Sequence, residues 1–196
     1  VESMTFIPMD GLTYDPHPQL NKDNPNVYMS MGITAENVAK KFNISRKEQQ
    51  DFAISSHSKA NLARESNLFD NEIVSITNND EKINKDGGIR PNTSHEILDG
   101  LKLAFDENGT VTAGTASPLT DGASAVIVCE EEYAKKNNLN ILARIKSTAV
   151  VGCPPELMGL GPINASKKAL KRANLSMSDI DIVELNEAFA SQSLAC

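Results

Sequence analysis

The sequence has no tryptophan, 5% aromatic residues and three cysteines among 196 positions. Cys129, Cys153 and Cys196 form no Cys-x-x-Cys pair, and no histidine stands at zinc-like spacing from them. A disulfide framework and a structural zinc site are therefore not expected, and a reducing, cytoplasmic setting is. Long apolar runs are missing too. The longest, Ala123 to Cys129, is broken by Ser124 and falls far short of the ~20 residues that span a bilayer, so no membrane insertion is predicted. Basic residues are in deficit, 19 against 26 acidic, and the net charge of −7 repels nucleic-acid phosphate and anionic lipid. Neither Gly-x-x-x-x-Gly-Lys nor Gly-x-Gly-x-x-Gly occurs, which removes the usual support for nucleotide hydrolysis and dinucleotide binding. The opening Val1-Glu2-Ser3-Met4 lacks the basic and apolar blocks of a secretory signal. Residues 188–196 read as a helix without a stop signal, so a piece of a longer chain is expected.

What is present is enough for a core: 40% apolar and 23% charged residues make one domain or two small ones. Residues 5–33 carry Pro8, Gly11, Pro16, Pro18, Pro25 and Gly32 and read as irregular. Thr34 is a candidate N-cap for a helix whose Ala35, Val38, Ala39 and Phe42 share one face, with Asn43 ending it. Ser45-x-x-Glu48 predicts a capping box and a longer helix through Ala63. Glu72 to Ile76 is a strand candidate, and the turn-rich stretch 77–100 has the length of a functional loop. From Val111 onward the pattern predicts alternating strands and helices of an α/β sheet. Its strands would be Ala123–Cys129, buried on both faces, Leu142–Val151, half-covered, and Ile180–Leu185. Its helices would be Glu130–Asn138 and one burying Ala165, Ala169, Leu170 and Ala173 while Lys167, Lys168, Lys171 and Arg172 face solvent.

Candidate chemistry is concentrated in two places. Asn186-Glu187-Ala188-Phe189 follows a predicted strand and opens a predicted helix, where helix amides and the Asn186 amide stabilise negative charge on a carbonyl oxygen; the alternative is that Asn186 caps the helix. Gly114 to Gly122 is a small-residue loop that lets a ligand approach the backbone, or else a tight turn before a buried strand. His17, His57 and His95 have no partner visible from spacing and read as structural or solvent-exposed, and the cysteines read as small hydrophobes.

Three strings in order, Met31-Gly32-Ile33-Thr34-Ala35-Glu36-Asn37-Val38-Ala39, Gly109-Thr110-Val111-Thr112-Ala113-Gly114 with Ser117 and Asp121-Gly122-Ala123, and Asn186-Glu187-Ala188-Phe189-Ala190, resemble the thiolase family. Val1 to Met4, Met158-Gly159-x-Gly161-Pro162 and the helix from Ser45 to Ala60 match as well, so the resemblance covers the whole chain. It implies an α/β thiolase-like fold, in part: a loop domain covering CoA at residues 1–119 and the first part of the layered C-terminal core at 120–196. It implies an enzyme that cleaves 3-oxoacyl-CoA with CoA through an acyl-cysteine, or condenses acyl-CoA in reverse, with CoA as a substrate and no cofactor or metal. The partners implied are acyl-CoA and CoA, in a homodimer or homotetramer. The nucleophilic Cys is implied before Val1, and the Gly-His-Pro histidine and acid/base Cys after Cys196, so residues 1–196 alone are expected to be inactive. What carries over is Asn186, holding the oxyanion-hole water, with Phe189 and Met158 lining the acyl and pantetheine pocket. Ser117 is similar to the pantetheine-contacting serine, Met31, Ala104, Phe105 and Ala113 fall where the family packs the CoA tail, and Arg90 falls at its nucleotide end. Ser30-Met31-Gly32 replaces His-Met-Gly and Ser117-Pro118 replaces Ser-Gly of biosynthetic members, which favours a degradative type. The alternative is a non-catalytic acyl-CoA-binding or assembly module on the same scaffold.

Overall fold

A computed structural model describes residues 1–4, 6 and 11–196. In chain order these form helix α1 (Pro18–Asp23), α2 (Met31–Phe42), α3 (Arg46–Glu65), strands β1 (Ile76–Asn78) and β2 (Glu81–Ile83), then α4 (His95–Asp99), α5 (Glu131–Lys136), α6 (Gly161–Ala173) and α7 (Ala190–Ala195). 3-10 segments lie at Pro25–Tyr28, Pro155–Leu160, which is kinked at Leu157, and Met177–Asp179. Pro8 lies outside the described residues. The rest of the stretch read as irregular is more ordered than expected: His17 Nδ1 accepts the Leu20 N–H at 3.2 Å and Pro18 takes the first helical position, where a missing N–H costs nothing.

The described residues divide into two compact units. The first comprises 29–118, 155–160 and 185–196. Its core is the face of α2 carrying Ala35, Val38 and Ala39, all nearly inaccessible, with the turn Pro155–Leu160 and α7 against it. Burial of a side chain such as Val38 contributes about 1.5–3 kcal/mol. Helix α2 starts four residues earlier than predicted, behind Ser30, because the Thr34 hydroxyl donates to the Met31 carbonyl at 2.7 Å instead of capping. Asn43, in the left-handed region at φ 53°, ends it as expected. The Ser45/Glu48 capping box forms, and the hydrogen bonds that the Ser45 hydroxyl and N–H donate to the Glu48 carboxylate hold it below its ordinary range. Arg46 Nη2 donates to the carbonyls of Leu98, Asp99 and Leu101 at 2.7–3.2 Å, tying α3 to the end of α4.

The buried polar group that shapes this unit is Glu36. Its carboxylate accepts the N–H of Thr110 at 2.8 Å, the N–H of Val111 at 2.8 Å and the Thr110 hydroxyl at 3.2 Å. Gly109 makes room for it, since a Cβ there would stand 2.2 Å from Glu36 Oε1. The segment is thus anchored between Leu103, which bridges to Thr112, and α2. β1 and β2 form an antiparallel hairpin around Asn79 and Asp80, both at positive φ, the geometry that matches strand twist. The strand predicted over Glu72–Ile76 is therefore displaced to Ile76–Asn78.

The second unit holds 1–28, 119–154 and 161–184. α5 and α6 form where the apolar spacing put helices. The strands predicted at 123–129, 142–151 and 180–185 carry no ladder, and the first is not buried: Val126, Ile127 and Val128 are 71–88% exposed. β-branched composition encodes a strand only where a neighbour supplies hydrogen bonds, and no such neighbour lies among the described residues. The cations of α6 are exposed, as the pattern predicts, and two of them also bond to nearby backbone. Lys168 Nζ donates to the Val150 carbonyl at 3.1 Å and Arg172 Nη1 to Thr148 at 2.5 Å, so carbonyls that a ladder would engage take side-chain donors.

Candidate functional site

All nine residues singled out for ligand contact or catalysis fall in the first unit. Three stretches distant in sequence meet there. The segment before α7 lies along the small-residue loop: Ser117 donates its N–H to the Ala188 carbonyl at 2.9 Å, Ala190 donates to Thr115 at 2.9 Å, and Ala116 and Phe189 pair in an antiparallel bridge. The Phe189 ring stands edge-on to Phe105 with centroids 5.9 Å apart. Phe105 in turn covers Gly32 of α2, where a Cβ would fall 2.1 Å from the ring. Ala104, beside it, donates its N–H to Val111 at 3.0 Å.

Helix α7 begins at Ala190 with Phe189 as its N-cap, so Asn186 lies four residues ahead of the helix and does not cap it. Asn186 is exposed and makes no hydrogen bond to a described residue. Six residues is too short a helix for its amides to act as an anion site; what holds the approach to Asn186 is the pairing with the small-residue loop. In that loop, Gly114 serves the protein's own packing, because a Cβ there would strike the side chains of Leu98 and Leu101. Met31, Ala104, Phe105, Ala113, Ser117 and Met158 are exposed, with Phe189 half-buried among them. Met158 sits in the turn that Asn37 Nδ2 fixes to α2 through the Glu156 carbonyl at 3.1 Å. Arg90 lies apart from these contacts, its main-chain N–H 3.2 Å from His57 Nδ1 of α3. No cluster of three or more His, Cys, Asp or Glu able to hold a metal occurs among the described residues, and no helix there is long and apolar enough to cross a membrane.

Family models for the thiolase N-terminal domain and the thiolase C-terminal domain match residues 16–132 and 139–196. The chain belongs to the thiolase family. The 3-ketoacyl-CoA thiolase of Serratia proteamaculans is 50% identical over the whole of this chain, and that of Shewanella loihica 49%. Among solved structures, human mitochondrial 3-ketoacyl-CoA thiolase in complex with CoA superimposes with a TM-score of 0.84 at 44% identity, covering 88% of this chain and 44% of that one. The dimeric peroxisomal thiolase of Saccharomyces cerevisiae gives 0.90 at 41% identity, covering 98% and 51%. The fold is a partial thiolase fold of mixed helix and sheet, and this chain spans about half the length of the relatives it matches.

Residue-by-residue reading of this thiolase section missed three pairs that frame the site. Glu36 is a buried acidic residue of α2 bonded to Thr110 and Val111. Ser56 Oγ donates to Glu187 Oε2 at 2.5 Å, beside Asn186, and His57 accepts from Arg90. Glu36 left the one usable signal, an acidic residue inside a buried helical stripe, which demands donors. The Gly32 contact gives a direct test. Gly32→Ala in the intact thiolase is expected to push the Phe105 ring off Phe189 and cost about 1–3 kcal/mol, as overpacking does. Chemical denaturation measures this, and a loss below about 0.5 kcal/mol would show that Phe105 repacks freely.

Proposed function

We propose that the intact protein is a thiolase-type acyltransferase that cleaves 3-oxoacyl-CoA with CoA, of the degradative type, and that residues 1–196 supply part of its CoA cover and one oxyanion element. The reading is carried by the junction of Ser117 and Ala188: it brings Met31-Gly32, the 104–117 segment and Asn186–Phe189, three family motifs, onto one surface. Half-identity to proteins named 3-ketoacyl-CoA thiolase along the whole chain supports the substrate class.

The chemistry requires a thiolate nucleophile, a base for the incoming thiol and donors for each thioester oxygen. Asn186, exposed and bonded to no described residue, holds a water or the oxygen itself; Phe189 and Met158 border the acyl and pantetheine path; Ser117, Ala104, Phe105, Ala113 and Met31 contact the CoA tail. Arg90, with a planar donor fork suited to phosphate, meets the nucleotide end. The nucleophilic cysteine and the catalytic His/Cys pair lie in the rest of the protein. Cys129, Cys153 and Cys196 are exposed thiols that match neither cysteine motif. Residues 1–119 act as the covering domain and 120–196 begin the core, and the intact thiolase is a cytoplasmic homodimer or homotetramer.

Thiolysis tests this directly, following acetoacetyl-CoA and a medium-chain 3-oxoacyl-CoA in parallel with free CoA. Turnover of both supports the degradative reading, and acetoacetyl-CoA alone a biosynthetic one. CoA binding without turnover makes the protein a binding module. Residues 1–196 alone are expected to show no turnover in the same assay, and a measurable rate from them would overturn the assignment of the nucleophile elsewhere.

A further inference from the structure

Helix α3 presents a histidine that the acyl-transfer chemistry does not use. His57 Nδ1 accepts the main-chain N–H of Arg90 at 3.2 Å, and the Arg90 carbonyl accepts the Thr93 hydroxyl at 2.7 Å. Among the described residues, the His57 contact is the one hydrogen bond that ties the exposed stretch 84–93 to another element. A ring nitrogen that accepts carries no proton, so only the neutral tautomer protonated on Nε2 makes this bond; imidazolium donates from both nitrogens and would oppose the amide.

We propose that neutral His57 is a positioning residue that fixes the Arg90 main chain and so aims Arg90 at the nucleotide end of bound CoA, with protonation of the ring releasing the loop and weakening CoA. The proposal rests on the reading of Arg90 as a CoA contact. Partial burial and the nearby Arg90 guanidinium push the His57 imidazole below its ordinary value, and Glu187, the facing acid, opposes them more weakly. The other charged groups packed on α3 point elsewhere. His95 and Asp99 of α4 engage Asp51 and Gln50 nearer the N-terminal end of α3, Glu96 is exposed, and α7 has no charged side chain. Because the folded ring is harder to protonate than the unfolded one, the bond is intact at neutral pH and is lost as pH falls through the lowered value.

The test is calorimetric titration of the intact thiolase with CoA and with pantetheine in steps from about pH 8 down to about pH 5, starting above an ordinary histidine and running well below it. His57→Asn places a non-titrating carbonyl oxygen near the Nδ1 position; His57→Phe removes the acceptor; Arg90→Ala removes the guanidinium. The CoA phosphate titrates near pH 6 in every variant, so the wild-type protein is compared with each variant at the same pH. The wild type is expected to lose more CoA affinity on acidification than His57→Asn, by up to about fivefold, and His57→Phe to bind CoA about fivefold more weakly than the wild type at about pH 8 and like it once the wild-type ring is protonated, fivefold being the size of one neutral hydrogen bond. Pantetheine, lacking the nucleotide, should bind alike to all. If Arg90→Ala weakens CoA while His57→Asn follows the wild-type pH profile, or His57→Phe binds as wild type at about pH 8, the positioning role is overturned and the Arg90 reading stands. If Arg90→Ala leaves CoA affinity unchanged, both fall.

Discussion

Asn186→Ala in the intact thiolase is expected to lower kcat for thiolysis about 10²–10³-fold, the usual effect of losing one oxyanion donor. The thermal midpoint should stay where it is. Asn186 is exposed and bonded to no described protein group, so its removal opens no cavity and strands no partner. Asn186→Asp should be at least as damaging to turnover, because it sets a negative charge against the oxygen that gains one. Steady-state kinetics beside a thermal melt separates the two effects. Unchanged turnover in Asn186→Ala would remove the residue from the mechanism, and a collapse of the melt would make it structural.

The second large effect is on stability. Glu36→Leu should cost about 3–5 kcal/mol, because the amides of Thr110 and Val111 lose a charged acceptor in a site from which water is largely excluded. Glu36→Gln keeps one acceptor oxygen but turns an NH₂ toward an N–H donor, and should cost roughly half as much. Turnover should fall with stability, since the pinned segment leads directly into Ala113 and Ser117. Urea denaturation of the intact thiolase reads the difference. A cost below about 1 kcal/mol for Glu36→Leu would mean that the 109–111 turn holds without the carboxylate.

How far the fold was legible depended on where each element's partners lie. The α3 capping box, the Asn43 stop and the Ala35/Val38/Ala39 face involve residues a few positions apart, and all formed as read. β2 was invisible because Glu81-Lys82-Ile83 has a single β-branched residue beside two charged ones; the positive φ of Asn79 and Asp80 pairs it with β1. The runs at 123–129 and 142–151 erred the other way, with strand-like composition and no ladder to a neighbour among the described residues. At the site, the family strings pointed to one region, but the bonds that frame it join residues 33, 75 and 131 positions apart (His57–Arg90, Glu36–Val111, Ser56–Glu187). Local periodicity carries no information at that range. The mistaken placement of Asn186 at a helix start has the same origin, since Phe189 is drawn into pairing with Ala116 and the helix starts after it.

The hydrogen bond from Ser191 Oγ to the Ala35 carbonyl, 3.0 Å long, closes a loop of 156 positions. During synthesis, α2 leaves the ribosome long before α7 exists to cover it. At translation speeds of about 5–20 residues per second, the Ala35 side of α2 waits on the order of ten seconds or more for its lid. The closure entropy grows only slowly with loop length, so the finished contact is not weakened much by this separation. Its burden is kinetic: the nascent helix carries an uncovered apolar stripe while the 156 positions up to Ser191 are made, which gives a chaperone time to engage α2.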